Sequence, residues 1–206
     1  MNLIFSHLVT QNREAFFQKV RSISNQLGID PNWLMAVMWK ESRINHMAVN
    51  PVSNATGLIQ FMPDTARGFG TTTAALLRMS NVQQLDFVLA YFRPFRNRMR
   101  SYVETYKAVF FPRSLGMPDN WVFQAPGLSA GLIARQNPTI FRNADGVITV
   151  ATFTRWALSG FPTDVLQVLT QNTKKTKNLT RKNITIIIIA LGLIVGALAL
   201  YNQFNS

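Results

Sequence analysis

The chain has no cysteine among its 206 residues. This absence excludes disulfide scaffolds, thiol nucleophiles and zinc sites of the cysteine type. Histidine is nearly absent as well, since His7 and His46 are the only two, which excludes a histidine-rich metal centre. A G-x-S-x-G turn is also missing, which argues against a Ser-His-Asp hydrolase. We therefore expect a protein that works without a metal or another cofactor.

Acidic side chains are few. Nine Asp and Glu residues stand against 21 Lys and Arg, for a formal net charge of +12. Such an excess favours polyanionic partners, namely nucleic acid, anionic lipid or a bacterial cell wall. Hydrophobic residues make up 48% of the chain, enough to bury a core, so wholesale disorder is excluded. The length fits one ordinary domain and an appendage.

The longest apolar run lies near the C-terminus. Residues 184–201 read ITIIIIALGLIVGALALY and carry no charge. At about 1.5 Å per residue such a helix is about 27 Å long, just enough to cross a bilayer. Residues 172–183 before it are polar and rich in lysine and arginine. We predict a basic polar tether at 172–183 and a single transmembrane helix at 184–201, the alternative being a buried core helix.

The N-terminal residues 1–17 have a short apolar patch that Ser6 and His7 interrupt. There is no charged segment before the patch and no small-residue cleavage site after it, so we expect no secretory signal. The positive-inside rule places the basic tether, and with it the body of the protein, on the cytoplasmic side of a membrane.

Helical spacing of apolar residues dominates the rest of the chain, and alternating strand patterns are nearly absent. We predict one mainly α domain over residues 1–171, with an irregular connection at 112–126, where prolines are frequent. The predicted helices are 13–27, a second from Pro31 to about Arg43, one capped by Ser80, one over 95–106 after Pro94, and weaker ones at 127–136, 149–158 and 163–171.

The second predicted helix places an acidic residue, Glu41, at the end of its apolar stripe. Ala36, Lys40 and Arg43 lie largely off the apolar stripe that Glu41 continues. Burial and the negative end of the helix dipole both favour the protonated carboxyl, which is the form that a general acid needs. The alternative is a surface glutamate paired with Lys40 or Arg43. The stripe, at i, i+3, i+4 and i+7, comprises Leu34, Val37, Met38 and Glu41.

A second motif follows in residues 56–66, TGLIQFMPDTA. Gly57 permits close backbone approach, and Gln60 offers an amide donor and a carbonyl acceptor. Phe61 and Met62 offer apolar surface, and Pro63 begins a short helix. Such a combination suits a sugar with N-acetyl and hydroxyl groups, although the motif by itself is weak.

Together, the two segments resemble the soluble lytic transglycosylase (SLT) domain, which has a lysozyme-like fold. Glu41-Ser42 matches the catalytic E-S motif of that family, and residues 57–63, GLIQFMP, match its G-L-x-Q-x-M-P motif. The resemblance extends over about residues 25–70. It continues more loosely through FGTTTAALLRMSNVQQLDFVLAYF, which resembles the phage-associated branch of the family.

The resemblance implies cleavage of the β-1,4 bond between N-acetylmuramic acid and N-acetylglucosamine in peptidoglycan. Glu41 would protonate the glycosidic oxygen and then act as base on the muramic C6 hydroxyl, which attacks C1 and yields a 1,6-anhydro sugar. Ser42 would position Glu41 or the substrate. Gln60 and Met62 would line the saccharide groove. One carboxyl would suffice, because an internal hydroxyl replaces the water of an ordinary glycosidase.

The family's third motif, A-Y-N, is not present as such. Ala90-Tyr91 copies only its first two letters, so the resemblance leaves the tyrosine open. Tyr106, four residues after Tyr102 on a predicted long helix, is our candidate for this substrate-binding position. The alternative is that all three tyrosines are packing residues.

Two further acids lie near the motifs in sequence. We expect Asp64 to stabilise the start of its helix and Asp86 to lie off the apolar stripe, both in structural roles. If either met Glu41 across a groove, a lysozyme-type hydrolase would be the better interpretation.

The predicted partners are peptidoglycan glycan strands, a lipid bilayer through residues 184–201 and other virion proteins, with no specific nucleic acid. A cytoplasmic body and an extracellular substrate conflict for a resident cell enzyme. We therefore hypothesise a membrane-anchored phage protein, in the virion or in the host membrane, that meets the wall during infection or lysis. The rival functions are a lysozyme-type hydrolase, a non-catalytic wall-binding or membrane-assembly protein with the same fold and, more weakly, a nucleic-acid binder.

Overall fold

The structure is a computed structural model, and it describes residues 3–171. The predicted tether at 172–183 and the predicted transmembrane helix at 184–201 lie outside the described residues, and the predicted domain boundaries stay a prediction. Between residues 3 and 171, every helix falls short of the length and apolar character that a bilayer crossing requires.

The described residues form a compact helical unit that ends at Leu169. Residues 3–171 contain isolated β-bridges but no strand longer than a bridge. Short 3₁₀ turns occur at Ser6–Leu8, Arg93–Phe95 and Pro112–Ser114, and residues 163–171 are helical. The α-helices are α1 (Arg13–Leu27), α2 (Pro31–Ser42), α3 (Pro63–Gly68), α4 (Thr73–Leu77), α5 (Asn81–Phe92), α6 (Tyr102–Phe110), α7 (Ala130–Gln136) and α8 (Val150–Leu158).

Local start signals explain where the main helices begin. The Asp30 carboxylate accepts a hydrogen bond from the Asn32 backbone N–H at 2.7 Å, and Pro31 occupies the first turn, where its missing N–H costs nothing. The Ser80 hydroxyl and the Gln83 side chain form a reciprocal capping box at α5. The mainly α class and these two helix starts, predicted from the sequence, are confirmed.

Helix α2 lies at the centre of the unit, where it packs against α1 and α6. The prediction of an apolar stripe with Ala36 off it is wrong, because Trp33 and every residue from Leu34 to Met38 are buried. Packing from α1 on one side and α6 on another buries the helix nearly all round. A helix in this environment is held on all sides, so the end that carries Glu41 has little freedom to move.

The predicted helix over 95–106 is also wrong. Pro94 lies in a 3₁₀ turn and Asn97 has a φ of 67°, so the chain leaves the helical path after α5. The Ser101 hydroxyl then accepts from the Glu104 N–H, which starts α6 afresh. Tyr106 consequently lies on a nine-residue helix rather than a long one. The arginines of this segment are exposed: Arg93, Arg96, Arg98 and Arg100.

The second half of the chain completes one wall of the core. Residues 112–126 are irregular, as predicted, and the Thr149–Thr152 capping box starts α8. Helix α8 packs against α6 through a cluster of rings in which Phe153 lies 4.9 Å from Phe110 and 5.4 Å from Phe123, measured between ring centroids. The segment therefore supplies the apolar support behind α6, the helix that carries Tyr106.

Candidate active site

The C-terminal end of α2 turns sharply after Ser42. Arg43 and Ile44 have φ values of 55° and 62°, a left-handed backbone that disfavours side chains with a Cβ by about 1 kcal/mol or more each. Their N–H groups bond back to the carbonyls of Trp39 and Met38 at 3.0 and 3.1 Å. Because α2 ends at Ser42, Glu41 lies in the last turn of this buried helix, and the chain leaves the helix axis directly after it.

The Glu41 side chain is half-buried at this position. Burial raises the pKa of Glu41 to about 7, and two favourable contacts limit the rise: a hydrogen bond with Tyr106 and the positive charge of Lys40. The carboxyl is therefore partly protonated at neutral pH, and it can give up a proton or take one there. Both abilities are required of a single group that acts first as acid and then as base.

Tyr106 differs from its two neighbouring tyrosines in what its hydroxyl contacts. The Tyr102 hydroxyl donates to the Ala157 carbonyl at 3.1 Å, and the Tyr91 hydroxyl donates to the Ala108 carbonyl at 3.2 Å. The Tyr106 hydroxyl instead acts as a hydrogen-bonding neighbour of the Glu41 carboxyl and lowers the pKa of that carboxyl. Of these three tyrosines, Tyr106 is thus the one placed to act with Glu41. Its predicted contact with substrate stays a prediction.

Stacking holds the Tyr106 ring in place. Tyr106 is 3% exposed, and its ring is nearly parallel to Trp156 at 5.6 Å and to Tyr102 at 6.1 Å between centroids. Such aromatic contacts contribute about 0.5–1.5 kcal/mol each beyond the area they bury. Together with Phe153, whose ring lies 5.6 Å away, these neighbours restrict the orientation of the Tyr106 ring.

Ser42 connects α2 to the loop that carries the second motif. Its side chain is buried, and its hydroxyl lies 3.1 Å from the Met38 carbonyl and 2.9 Å from the Leu58 carbonyl. Of the two roles that the sequence left open, this geometry favours positioning of Glu41 over contact with substrate. The hydroxyl keeps residues 57–60 against the end of α2.

Gln60 has a left-handed backbone, with φ at 55°, and a half-buried side chain. Its Nε2 donates to the carbonyls of Gly57 at 3.1 Å and Ala48 at 3.3 Å. Two carbonyl partners fix the orientation of the amide. The Oε1 atom has no partner among residues 3–171. If Gln60 contacts a sugar, as predicted, its carbonyl is the end that can accept a hydrogen bond from it.

The two apolar residues of the motif, Phe61 and Met62, differ in their exposure to solvent. Phe61 is 2% exposed and packs edge-on against Tyr91 at 6.2 Å, so the expectation that it forms groove surface is wrong. Met62, which precedes α3, is 48% exposed. Phe61 therefore anchors the loop in the core, while Met62 remains available as the apolar contact that the sequence predicted for the groove.

Gln84, which neither motif indicated, organises this loop. Gln84 is fully buried on α5, and its Oε1 accepts from the Leu58 N–H at 3.0 Å. Its Nε2 donates to the carbonyls of His46 at 2.7 Å and Leu76 at 2.8 Å. Three backbone segments thus converge on one amide. The only signal was a glutamine at an apolar position of α5.

All nine acidic residues belong to the described part of the chain. Asp64 pairs with Arg67, and Asp86 pairs with Lys19 at 2.6 Å, as expected of structural residues. Glu104 pairs with the buried Lys107 at 2.7 Å. Among residues 3–171, no second carboxylate contributes to the pKa of Glu41. Burial, rather than a neighbouring carboxylate, is therefore the cause of the raised pKa of Glu41.

The described part of the chain has no group of three His, Asp or Glu side chains placed to hold a metal ion.

A single acid, a tyrosine that hydrogen-bonds it and a glutamine loop beside it form the described site. Residues 18–86 match the family model of the transglycosylase SLT domain. The matched segment includes α2, Glu41 and the loop of residues 57–63, and it supports lytic transglycosylase activity, a lysozyme-like fold and peptidoglycan as substrate. Tyr106 and α8 lie beyond it. The curated proteins contain no match to the chain.

The loop geometry predicts a specific cost for Gly57→Ala. Gly57 has a φ of 85°, and a Cβ there would lie 2.4 Å from Gln84 Oε1. We expect this substitution to lower the free energy of unfolding by about 1–3 kcal/mol more than Gly70→Ala does. Gly70 is the matched control because its φ of 70° is similar and it has no neighbour within 4 Å. Urea unfolding measures both, and equal costs would contradict the contact with Gln84.

The raised pKa of Glu41 predicts a pH-dependent stability difference. In the folded chain the carboxyl holds its proton up to about pH 7, whereas in the unfolded chain it releases it near 4.5. The folded state therefore loses stability as pH rises between these values. We expect Glu41→Gln to stabilise the fold by about 1–3 kcal/mol at pH 8 and by much less at pH 4.

Urea unfolding at the two pH values measures this difference. Glu14→Gln is the control, since Glu14 is exposed in the first turn of α1. A stability gain for Glu41→Gln that is the same at both pH values would contradict the buried, proton-binding carboxyl.

Proposed function

We propose that this protein is a peptidoglycan lytic transglycosylase that cleaves the β-1,4 bond between N-acetylmuramic acid and N-acetylglucosamine and leaves a 1,6-anhydro product. The observation that carries the proposal is the placement of Glu41, a lone carboxyl with a pKa of about 7 beside the glutamine loop. The SLT match over residues 18–86 supports the same chemistry.

In the proposed reaction the protonated Glu41 carboxyl donates its proton to the glycosidic oxygen, and the bond from C1 of the muramic residue to that oxygen breaks. The carboxylate then accepts the proton of the C6 hydroxyl as O6 bonds to C1. Glu41 is therefore regenerated, and no water is consumed. Both proton transfers use one group whose pKa lies near neutrality, where neither transfer is strongly uphill.

The surrounding residues support this sequence of steps. The Tyr106 hydroxyl can stabilise the Glu41 carboxylate that exists between the two transfers, since hydrogen bonding to the charged form favours it. Gln60 Oε1 and the exposed Met62 side chain offer an acceptor and an apolar surface on the loop that Ser42 holds against α2. A pyranose ring has matching hydroxyl groups and an apolar face.

The test is digestion of purified peptidoglycan by the full chain, with the products identified by mass spectrometry. We expect anhydro-muropeptides from the native protein and a loss of at least about a thousandfold in turnover for Glu41→Gln, since the amide cannot transfer the proton. Glu14→Gln should retain full activity. Turnover should fall as pH rises above about 7, because the protonated fraction of Glu41 then declines.

The other outcomes identify the rival functions. Reducing-end products without the anhydro ring would show a lysozyme-type hydrolase. An absence of products from the native protein would leave a non-catalytic wall-binding protein.

We further propose that the protein is a phage component anchored in a virion or host membrane through residues 184–201. The support comes from the sequence: an uncharged apolar run of bilayer length follows a basic tether, while the SLT match implies a substrate outside the membrane. A phage protein made in the host cytoplasm would meet that substrate during infection or lysis.

Mass spectrometry of purified, washed phage particles tests this location. We expect peptides of this chain in the particles, and membrane fractionation of the host should release the chain with detergent but not with high salt. Particles free of the chain would restrict the proposal to a lysis enzyme or a bacterial one.

A further inference from the structure

Lys40, which directly precedes Glu41, reaches across to the end of α8. Its ammonium donates to the carbonyls of Ser159 at 2.8 Å and Trp156 at 3.1 Å. Trp156 lies in the last turn of α8, where its carbonyl also accepts from the N–H and the hydroxyl of Ser159, the C-cap residue. A positive charge at this end of the helix complements the helix dipole. Lys40 thus caps a helix that lies more than a hundred residues away in sequence.

The same ammonium lies over two aromatic rings. It is 4.9 Å from the centre of the Trp156 ring and 5.3 Å from that of Phe161. A cation over an indole ring is attracted by the negative face of the ring, more strongly when both are partly buried. Lys40 therefore holds both the backbone and the side chain of Trp156.

Trp156 is in turn the ring that stacks on Tyr106, at 5.6 Å and an interplanar angle of 21°. The Tyr106 hydroxyl is the hydrogen-bonding neighbour that lowers the pKa of Glu41. The contacts therefore run from Lys40 to Trp156, from Trp156 to Tyr106, and from Tyr106 to Glu41, the residue after Lys40. A displacement of the end of α8 would therefore change the position of the Tyr106 hydroxyl.

We propose that Lys40 is a positioning residue for Glu41: its ammonium fixes the end of α8, keeps Trp156 against Tyr106 and so sets the hydrogen bond that Tyr106 makes with Glu41. The role is distinct from substrate contact, because the ammonium is engaged by two carbonyls and two rings of the fold. The effect on turnover rests on the proposed transglycosylase activity, whereas the effect on Glu41 does not.

The electrostatic setting agrees with this role. Burial, and then the charge of Arg43, lower the pKa of Lys40 to about 8, so the ammonium remains charged where Glu41 titrates. The positive charge of Lys40 in turn lowers the pKa of Glu41. The other titratable groups coupled to Glu41 are Tyr106 and Tyr102 of α6 and Tyr91 of α5, which stay neutral in this range.

A double-mutant cycle of Lys40→Met and Tyr106→Phe in the full chain tests the proposal. Methionine keeps an apolar stem and removes the ammonium, and Lys40→Arg is the matched control that retains the charge. We expect Lys40→Met to lower kcat about tenfold with KM changed less than about threefold, and Lys40→Arg to restore most of the loss. In the Tyr106→Phe background, Lys40→Met should lower kcat by less than about threefold, since the group it positions is gone.

The same double-mutant cycle can also be measured through the titration of Glu41, which does not depend on turnover. The chain has three glutamates, Glu14, Glu41 and Glu104, so ¹³C-carboxyl labelling of glutamate gives three titrating signals, and Glu41→Gln assigns the one needed. Each single variant should shift the Glu41 titration to higher pH, and the double variant should shift it by clearly less than the sum of the two. Additive shifts would show that Lys40 acts by charge alone and would overturn the proposal.

Measurements of kcat and of the Glu41 titration distinguish failure of the proposed function from failure of the role of Lys40. An inactive native protein would contradict the proposed function, while the titration cycle would still decide the role of Lys40. Native activity with additive effects on both kcat and the titration would sink the role of Lys40 and leave the function intact. A Lys40→Met variant that loses kcat only in proportion to its unfolded fraction, with an unmoved Glu41 titration, would show a purely structural lysine.

Discussion

The hydrogen bond between Tyr106 and Glu41 is the contact on which the site depends. It joins a half-buried carboxyl to a fully buried ring, and it limits the cost of a charge in a poorly solvated place. Without it, only the positive charge of Lys40 would oppose desolvation, and the carboxylate would be still harder to form. A group that must be acid and then base needs this balance, because either extreme would disable one of the two steps.

The supporting structure can be understood as two walls that meet at the end of α2. One wall is the loop of residues 57–62, held by the Ser42 hydroxyl and by the Gln84 amide. The other is the aromatic wall of α6 and α8, in which Tyr106 stacks on Trp156. Glu41 lies where they converge, and each wall is fastened by buried polar groups that have their partners, which makes the arrangement rigid.

The sequence predicted the parts of this arrangement that depend on local signals. Asp30-Pro31 and Ser80 mark helix starts because a cap acts within three residues, and Glu41 and Gln60 were found through short motifs. The sequence could not predict α2's burial on all sides, because that depends on which helices pack against it. The roles of Gln84 and Lys40 could not be predicted for the same reason, because their partners lie on distant segments. Gln84 contacts His46, and Lys40 contacts Ser159.

The loop before the glutamine motif differs from α2 in its exposure to solvent. Between the end of α2 and Ala55 the chain is largely exposed, and Val52 is 92% exposed. Substitutions at such positions change stability little, whereas those in a close-packed helix are costly. Residues 45–54 can therefore tolerate substitutions that the packing around Glu41 would not.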